Sequence, residues 1–242
     1  MPLKINSIET LGTHEGPGIR FVVFAQGCNF KCQYCHNPET QGLDIDSNHT
    51  TATLLEKIKQ SMPYFGNNGG VTVSGGEPLL QAKDLISLFS ELKKIGIRTA
   101  LDTNGSLLNS DVKKLLKLTD LVLLDVKHID ESWHKEITGH SNNAVLGFAE
   151  YLETNRIHFW IRYVLVPGLS DQDKYLRQFS SHFENYKSID RVEILPYHTL
   201  GTKNYADLGI HYSLEETPVP SAAIVTRTKD IFEKSFKKVV VR

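Results

Sequence analysis

Residues 26–37 read QGCNFKCQYCHN and contain every cysteine of the 242-residue chain, at Cys28, Cys32 and Cys35. An odd count cannot pair off completely in disulfides, so it favours a metal or redox site over a disulfide framework. Because the three sulfurs are close in sequence, they can converge on one centre. The stretch therefore predicts a metal centre.

Three kinds of centre are compatible with this spacing. Zinc would use the three cysteines together with His36, although two adjacent residues rarely both reach one tetrahedral ion. Haem would attach to residues 32–36, which read CQYCH, but covalent haem normally accompanies export and no signal peptide is evident. An iron–sulfur cube normally takes four thiolates, so three cysteines would leave one iron for a substrate or cofactor. The iron–sulfur interpretation is favoured, with zinc and haem as the alternatives.

The rest of the chain alternates between short apolar runs and longer amphipathic segments. The predicted strands are residues 20–24, 71–74, 98–102, 121–126, 159–166 and 191–195. The predicted helices include residues 54–62, 85–95, 115–118 and 146–152. Residues 202–221 are polar and predicted as a loop, followed by a helix and a short strand at 237–241. Repeated βα units predict an α/β fold with a parallel sheet, and both a βα barrel and a doubly wound sheet fit.

Polar clusters follow the ends of four predicted strands. They are residues 74–78, 102–105, 125–127 and 196–198. The carboxyl ends of parallel strands form the edge where ligands bind in such folds. Each cluster alone could consist of turn residues and helix caps, but four at one edge predict a ligand site.

Composition excludes several classes of partner. The formal net charge is −1, from 27 basic and 28 acidic residues, which argues against a nucleic-acid-coating surface and a polybasic membrane patch. No run of eighteen apolar residues is present, so no membrane-spanning helix is expected. The sequence predicts a soluble cytoplasmic protein without a nucleic-acid or membrane partner.

The spacing C-x-x-x-C-x-x-C resembles the signature of the radical S-adenosylmethionine (radical SAM) superfamily. Further stretches, spread over nearly the whole chain, resemble its glycyl-radical-enzyme activating branch. They are residues 15–20 (EGPGIR), 26–37 (QGCNFKCQYCHN), 74–77 (SGGE), 101–105 (LDTNG), 124–127 (LDVK), 160–168 (WIRYVLVPG) and 195–198 (LPYH). A lone cysteine motif indicates only the superfamily, whereas this ordered set indicates the branch.

The resemblance implies a fold, two cofactors and a reaction. The fold is a partial (β/α)6 TIM-like barrel of parallel strands with helices outside, forming one radical SAM domain over residues 1–242. The cofactors are a [4Fe–4S] cluster and S-adenosyl-L-methionine, and the enzyme is an oxidoreductase. One electron from the reduced cluster cleaves the sulfonium to a 5′-deoxyadenosyl radical. The cofactors supply this chemistry, while the protein binds and orients them.

The resemblance also assigns residues to these cofactors. Cys28, Cys32 and Cys35 bind the cluster. Gly75 and Gly76 bind the methionine amino group, with backbone that must approach closely, and Glu77 helps to orient it. The other implied contacts are Tyr34 and His36 on the adenine side, and Asp125, Val126, Lys127, Arg162 and His198 near the ribose, carboxylate and sulfonium.

Two further sites are implied. A monovalent cation, Na⁺ or K⁺, would lie near the cofactor carboxylate, with oxygen ligands from Asp102, Thr103 and Asp125. Asp102 and Thr103 could equally cap the following helix. Glu15 matches the loop that meets the substrate peptide in relatives, where Asp is common at this position.

The implied partner is pyruvate formate-lyase, which would lose a hydrogen atom from one glycine Cα. A flavodoxin or ferredoxin would donate the electron under anaerobic conditions, and the chain would act as a monomer. One alternative is another glycyl-radical enzyme as target, and another is a small-molecule reaction like that of 7-carboxy-7-deazaguanine synthase. An iron–sulfur electron carrier or a zinc-binding module would leave Gly75, Gly76 and Glu77 unexplained.

Overall fold

The computed structural model describes residues 2–42, 46 and 48–242, which form two compact units. The first unit comprises residues 2–29 and the described part of 40–123. The second unit comprises residues 30–39 and 124–242. The expectation of one domain over residues 1–242 stays a prediction, and the two units are described in turn.

The first unit contains a main sheet and a separate pair of short strands. Its strands are β1 (Pro2–Leu3), β2 (Ile5–Gly12), β3 (Arg20–Ala25), β4 (His49–Thr50), β5 (Gly70–Gly75) and β6 (Arg98–Thr103). Its helices are α1 (Thr51–Ser61), α2 (Ala82–Lys94) and α3 (Ser110–Leu116), with 3₁₀ helices at Met62–Tyr64 and Pro78–Gln81. The order is β2-β3-β5-β6, with β2 antiparallel to β3 and the others parallel, while β1 pairs only with β4.

Burial explains why the parallel strands of this unit were visible in the sequence. Strand β3 (RFVVFA) is buried at every position except Phe24, as expected for a parallel strand covered on both faces. Helix α2 packs an apolar stripe that includes Leu85, Phe89 and Leu92. Strand β2 was missed because six of its eight residues are not buried, so it shows no apolar run.

The second unit continues the βα pattern. Its strands are β7 (Leu121–Asp125), β8 (Phe159–Leu165), β9 (Ile189–Pro196) and β10 (Val239–Val241). Of β7, only the last two residues belong to this unit. Its helices are α4 (Glu131–Thr138), α5 (Asn143–Thr154), α6 (Asp173–Phe183), α7 (Thr202–Asp207) and α8 (Ala222–Phe232), with a 3₁₀ helix at Thr199–Gly201. Strands β8, β9 and β10 are parallel neighbours.

An aromatic core holds α6 and α8 against β8. The ring of Tyr163 lies 5.1 Å from that of Phe179 and 5.3 Å from that of Phe232, both edge-on. The rings of Phe179 and Phe232 stack at 5.0 Å. Such pairs stabilise a core beyond their buried area. The opposite face of β8 and β9 is thereby left to carry the polar side chains described below.

All six predicted strands are confirmed, with ends that differ by at most two residues. The predicted final helix and strand are confirmed as α8 and β10. The loop predicted over residues 202–221 is partly wrong, because α7 occupies Thr202–Asp207 and is too short for a periodic signal. Helices α4 and α6 were missed, and in α6 Ser180 interrupts the apolar stripe. No helix in the described part of the chain is long and apolar enough to span a membrane.

Candidate cofactor site

Two glycines end β5 where no side chain fits. Gly75 has a φ of +105°, and a Cβ there would lie 2.4 Å from the backbone nitrogen of Ala25. A Cβ on Gly76 would lie 2.1 Å from the carbonyl oxygen of Gly27. In both cases the obstacle is backbone, which cannot rotate away. This loop therefore needs glycine because it approaches residues 25–27 closely, and the predicted approach of its backbone to the cofactor stays a prediction.

Glu77 ties this loop to the end of β6. Its side chain is buried, and Oε1 accepts hydrogen bonds from the backbone N–H of Leu79 at 2.9 Å and the hydroxyl of Thr103 at 2.6 Å. Its Oε2 accepts the backbone N–H of Asn104 at 2.7 Å. Burial raises the pKa of Glu77 to about 7, against the opposing effect of these hydrogen bonds. The carboxylate therefore orients the glycine loop from within the protein.

Replacement of Glu77 by Gln is expected to lower stability most strongly at acidic pH. Gln can accept with only one oxygen, and its amide N–H₂ would face a backbone donor, which costs about 1–3 kcal/mol. The raised pKa means that folded wild type binds the Glu77 proton up to about pH 7, whereas the unfolded chain loses it near 4.5. The stability that Glu77 contributes is thus greatest below pH 4.5 and falls as pH rises through 7. Urea unfolding measures the difference in free energy of unfolding between wild type and Glu77→Gln, which should be smaller at pH 8 than at pH 5. The same difference at both pH values would contradict the assignment.

Cys28 lies between two anchored residues. On one side, Gly27 donates its N–H to the carbonyl of Thr40 and accepts the N–H of Glu77, both at 2.7 Å. On the other side, Asn29 accepts from the side chain of Asn104 at 3.2 Å and donates to Ser106 at 2.8 Å. These contacts hold the first cysteine next to the glycine loop. The roles of Asn29 and Asn104 were missed, since the only signal was their presence in the quoted motifs.

Asp102 and Thr103 end β6 and do not cap the following helix. Helix α3 begins at Ser110, and its cap is Asn109, whose side chain accepts from two backbone N–H groups. The capping interpretation is therefore wrong. Instead, Asp102 accepts a hydrogen bond from Ser74 at 2.7 Å, and Thr103 donates to Glu77. Both residues lie at the end of β6, and the predicted cation site with oxygen ligands from Asp102, Thr103 and Asp125 stays a prediction.

In the second unit, Cys32, Tyr34, Asp125 and Lys127 lie in one electrostatic cluster. The ammonium of Lys127 is 2.8 Å from a carboxylate oxygen of Asp125 and 5.7 Å from the centre of the Tyr34 ring. Burial lowers the pKa of Lys127, but the Asp125 carboxylate, Cys32 and Tyr34 together outweigh burial and leave the pKa above its ordinary value. Burial raises the pKa of the Cys32 thiol to about 12, opposed by the Lys127 charge. Lys127 therefore stays charged beside a cysteine of the motif.

His36 and His198 form a stacked pair in the same unit. Their ring centres are 4.3 Å apart, with 26° between the planes. Burial, aided by His198, lowers the pKa of His36 to about 4, so His36 is neutral at pH 7. The predicted contacts of His36 on the adenine side and of His198 near the ribose, carboxylate and sulfonium stay predictions. Val126 and Arg162 are also joined, because the Val126 N–H donates to the Arg162 carbonyl at 3.1 Å.

Tyrosines pack around Cys35, and all of them except Tyr34 were not predicted as part of the site. Cys35 contacts a buried cluster that includes Tyr34, Tyr197, Tyr205 and Tyr212. The hydroxyl of Tyr212 donates to that of Tyr197 at 3.0 Å. The sequence signal for these residues was weak, because Tyr205 and Tyr212 lie in the segment predicted as a loop. The cluster shields one side of the cysteine loop from water.

The donor set fits an iron–sulfur cube. In the part of the chain that the structure describes, no three His, Cys, Asp or Glu side chains are placed to hold one metal ion together. A cube has a different requirement, because each thiolate binds its own iron. The three cysteines are not joined in disulfides and are partly exposed. Binding to iron would remove the Cys32 proton that the protein environment alone retains.

A protein-family model described as the radical SAM superfamily matches residues 22–179. The chain therefore belongs to the radical SAM superfamily. The family uses a [4Fe–4S] cluster and S-adenosylmethionine, so both predicted cofactors are confirmed. The zinc and haem interpretations of the cysteines are thereby set aside.

Curated relatives place the chain more narrowly. It is 44% identical over 235 residues to the pyruvate formate-lyase-activating enzyme of Streptococcus mutans, covering 94% of this chain and 89% of the relative. It is 43% identical over 224 residues to the enzyme of the same name from Staphylococcus aureus, covering 89% of each. The predicted resemblance to the activating branch is confirmed.

Solved structures agree on the fold. A domain of a pyruvate-formate lyase-activating enzyme from Bacteroides vulgatus matches with a TM-score of 0.61 and 22% identity, over 72% of this chain and 99% of that one. Streptococcus suis SuiB bound to its precursor peptide SuiA matches with a TM-score of 0.70 and 16% identity, over 91% and 48%. At these identities the likeness concerns the fold alone. The predicted fold class, an α/β fold of the radical SAM type, is confirmed.

Proposed function

We propose that this chain activates pyruvate formate-lyase by removing a hydrogen atom from one glycine Cα of that enzyme. The observation that carries the proposal is the 44% identity, over 94% of this chain, to an activating enzyme for that target. When bound, the cluster and S-adenosylmethionine supply the 5′-deoxyadenosyl radical that takes the hydrogen. Glycine suits the reaction because flanking amides stabilise the radical and no side chain crowds it.

The residues of the first unit would present backbone to the cofactor. Gly75 and Gly76 allow a close approach to the methionine amino group, and Glu77 holds their loop through Thr103 and Asn104. Cys28 would bind one iron of the cluster. Because the loop is locked before the cofactor arrives, binding would cost little reorganisation.

The residues of the second unit would contact the cofactor through charge and aromatic surface. Lys127 and Arg162 provide cations for the carboxylate, and such pairs are strong where water is scarce. The neutral His36 would lie on the adenine side with Tyr34, and His198, stacked on His36, would lie near the ribose, carboxylate and sulfonium. Cys32 and Cys35 would bind two further irons. Asp125 keeps Lys127 charged and oriented.

Several finer points belong to the same proposal. A sodium or potassium ion would bind oxygen atoms of Asp102, Thr103 and Asp125. A flavodoxin or ferredoxin would reduce the cluster, and the chain would act as a cytoplasmic monomer. These points rest on the resemblance of the motifs.

Glu15 is proposed to meet the substrate peptide. Its loop is anchored to β5. The hydroxyl of Thr72 donates to the Glu15 carbonyl at 2.6 Å, and the buried Arg20 donates to the same hydroxyl at 2.9 Å. Thr72 precedes Gly75 by three residues, about 10 Å along an extended strand. The Glu15 backbone therefore contacts the middle of β5 rather than its carboxyl end, where the glycine loop lies, and this supports a role in partner recognition.

Replacement of Glu15 by Ala is expected to slow activation of pyruvate formate-lyase by about ten-fold or more, because a charged hydrogen-bonding group for the peptide is lost. Cleavage of S-adenosylmethionine without the partner should be unchanged. Both rates are measured anaerobically with dithionite as reductant. The matched control is Glu9→Ala, an exposed glutamate of β2, which should leave both rates unchanged. Equal loss of both rates in Glu15→Ala would place Glu15 at the cofactor instead.

The function is tested by electron paramagnetic resonance on the reconstituted, reduced protein mixed with S-adenosylmethionine and purified pyruvate formate-lyase. The expected result is a glycyl radical on the partner, with release of 5′-deoxyadenosine. If 5′-deoxyadenosine forms without a glycyl radical, the target is another glycyl-radical enzyme or a small molecule. If neither product appears with a fully loaded cluster, the proposed activity is wrong.

A further inference from the structure

One buried carboxylate of the second unit is surrounded by three arginines. Glu193 of β9 lies opposite Arg162 of β8 in the parallel register, and its side chain is 0% exposed. Its Oε1 accepts a hydrogen bond from Nη1 of Arg191 at 3.0 Å. The same oxygen accepts from Nε and Nη2 of Arg242 at 3.0 and 2.9 Å. These three bonds set the orientation of the carboxylate.

The second oxygen of Glu193 faces Arg162. Its Oε2 is 3.9 Å from Nε of Arg162, which is an ion pair too long to be a hydrogen bond. This oxygen is buried and makes no hydrogen bond with any residue that the structure describes. Because a buried charge is costly unless an opposite charge compensates it, the guanidinium of Arg162 is the group that balances Oε2.

The surrounding contacts keep this arrangement in place. The guanidinium of Arg191 stacks on the ring of Trp160, 3.7 Å from its centre. Arg162 is fixed through its backbone by Val126, as described above, and its side chain is only 13% exposed. Arg191 and Arg242 hydrogen-bond to Oε1 of Glu193, whereas Arg162 pairs with Oε2 through charge. The carboxylate therefore holds the arginines together.

We propose that Glu193 is a positioning residue, which holds the guanidinium of Arg162 in the orientation that binds the carboxylate of S-adenosylmethionine. This inference rests on the proposed function, in which Arg162 contacts that cofactor. Glu193 itself is not expected to touch the cofactor. An acidic residue in the middle of a predicted buried strand was the sequence signal that could have pointed to it, because unpaired buried carboxylates are rare.

The test compares Glu193→Gln with wild type in equilibrium binding of S-adenosylmethionine to the cluster-loaded protein before reduction. Gln keeps an acceptor for Arg191 and Arg242 but removes the charge that faces Arg162. The dissociation constant should rise by about ten-fold or more, as expected when a hydrogen-bonded or paired charge is lost. In a double-mutant cycle, Glu193→Gln added to Arg162→Ala should cause no further loss, since it acts through Arg162.

The matched control is Arg242→Gln. It weakens the attachment of β10 to β9 but leaves the pair of Glu193 and Arg162, so its melting temperature should fall while its dissociation constant stays within about two-fold of wild type. If Glu193→Gln does not fold, Glu193→Asp is measured instead. Its side chain is one methylene shorter, so the carboxylate lies farther from Arg162 and binding of S-adenosylmethionine should also weaken.

Two results would overturn the inference. One is wild-type affinity for S-adenosylmethionine in a folded Glu193 variant, and the other is a loss of affinity in the double variant equal to the sum of the losses in Glu193→Gln and Arg162→Ala. Failure of the proposed function looks different. If Arg162→Ala binds S-adenosylmethionine as wild type does, the assignment of Arg162 to the cofactor is wrong, and the inference falls with it.

Discussion

Replacement of Cys32 by Ala is expected to abolish activation of pyruvate formate-lyase completely. Each iron of a cube needs its own ligand, and the chain has no cysteine outside Cys28, Cys32 and Cys35 to take over. The vacated iron would be left to water or lost. Without the intact cluster no electron can reach the sulfonium of S-adenosylmethionine.

The measurement is iron and sulfide content after anaerobic reconstitution, followed by electron paramagnetic resonance of the partner. Cys28→Ala and Cys35→Ala should behave in the same way. The matched control is Ser132→Ala, which removes one exposed polar atom from α4 of the same unit as Cys32 and should leave both readings unchanged. A glycyl radical formed at a wild-type rate by any cysteine variant would contradict the assignment of three thiolate ligands.

Replacement of Gly76 by Ala is expected to have the second largest effect. The new Cβ would lie 2.1 Å from the carbonyl oxygen and 2.7 Å from the carbonyl carbon of Gly27. Neither atom can move without displacing the backbone next to Cys28. Overpacking of this kind costs about 1–3 kcal/mol. A shift of about 1 Å in a positioning loop can lower a rate about 100-fold, and we expect a loss of at least that size.

The matched control is Gly147→Ala in α5, where a Cβ meets nothing within 4 Å. Alanine is a better helix former than glycine, so this variant should be as stable as wild type or more stable, by about 1 kcal/mol. Cleavage of S-adenosylmethionine and thermal melting are measured for both variants. If Gly76→Ala cleaves the cofactor at the wild-type rate, close backbone approach is not what this position requires.

Much of the fold could be predicted because its signals are local. Strand β3 carries its evidence in consecutive apolar residues, and α2 carries it in an apolar stripe. Strand β2 could not be predicted in this way, because it pairs at the edge of the sheet through its backbone while six of its eight residues are not buried. Its place depends on a partner strand that no local pattern records.

The candidate site divides in the same way. Sequence alone was enough to identify the three cysteines, the glycine pair before Glu77 and the family to which they belong, because the chemistry requires those residue types at those spacings. The residues that surround them became visible only in the folded structure. Asn29 meets Asn104 across 75 positions of the chain, and Glu193 meets Arg162 across two strands. A buried polar group must find its partner wherever the fold provides one, and this partner is decided by packing in space rather than by the neighbouring sequence.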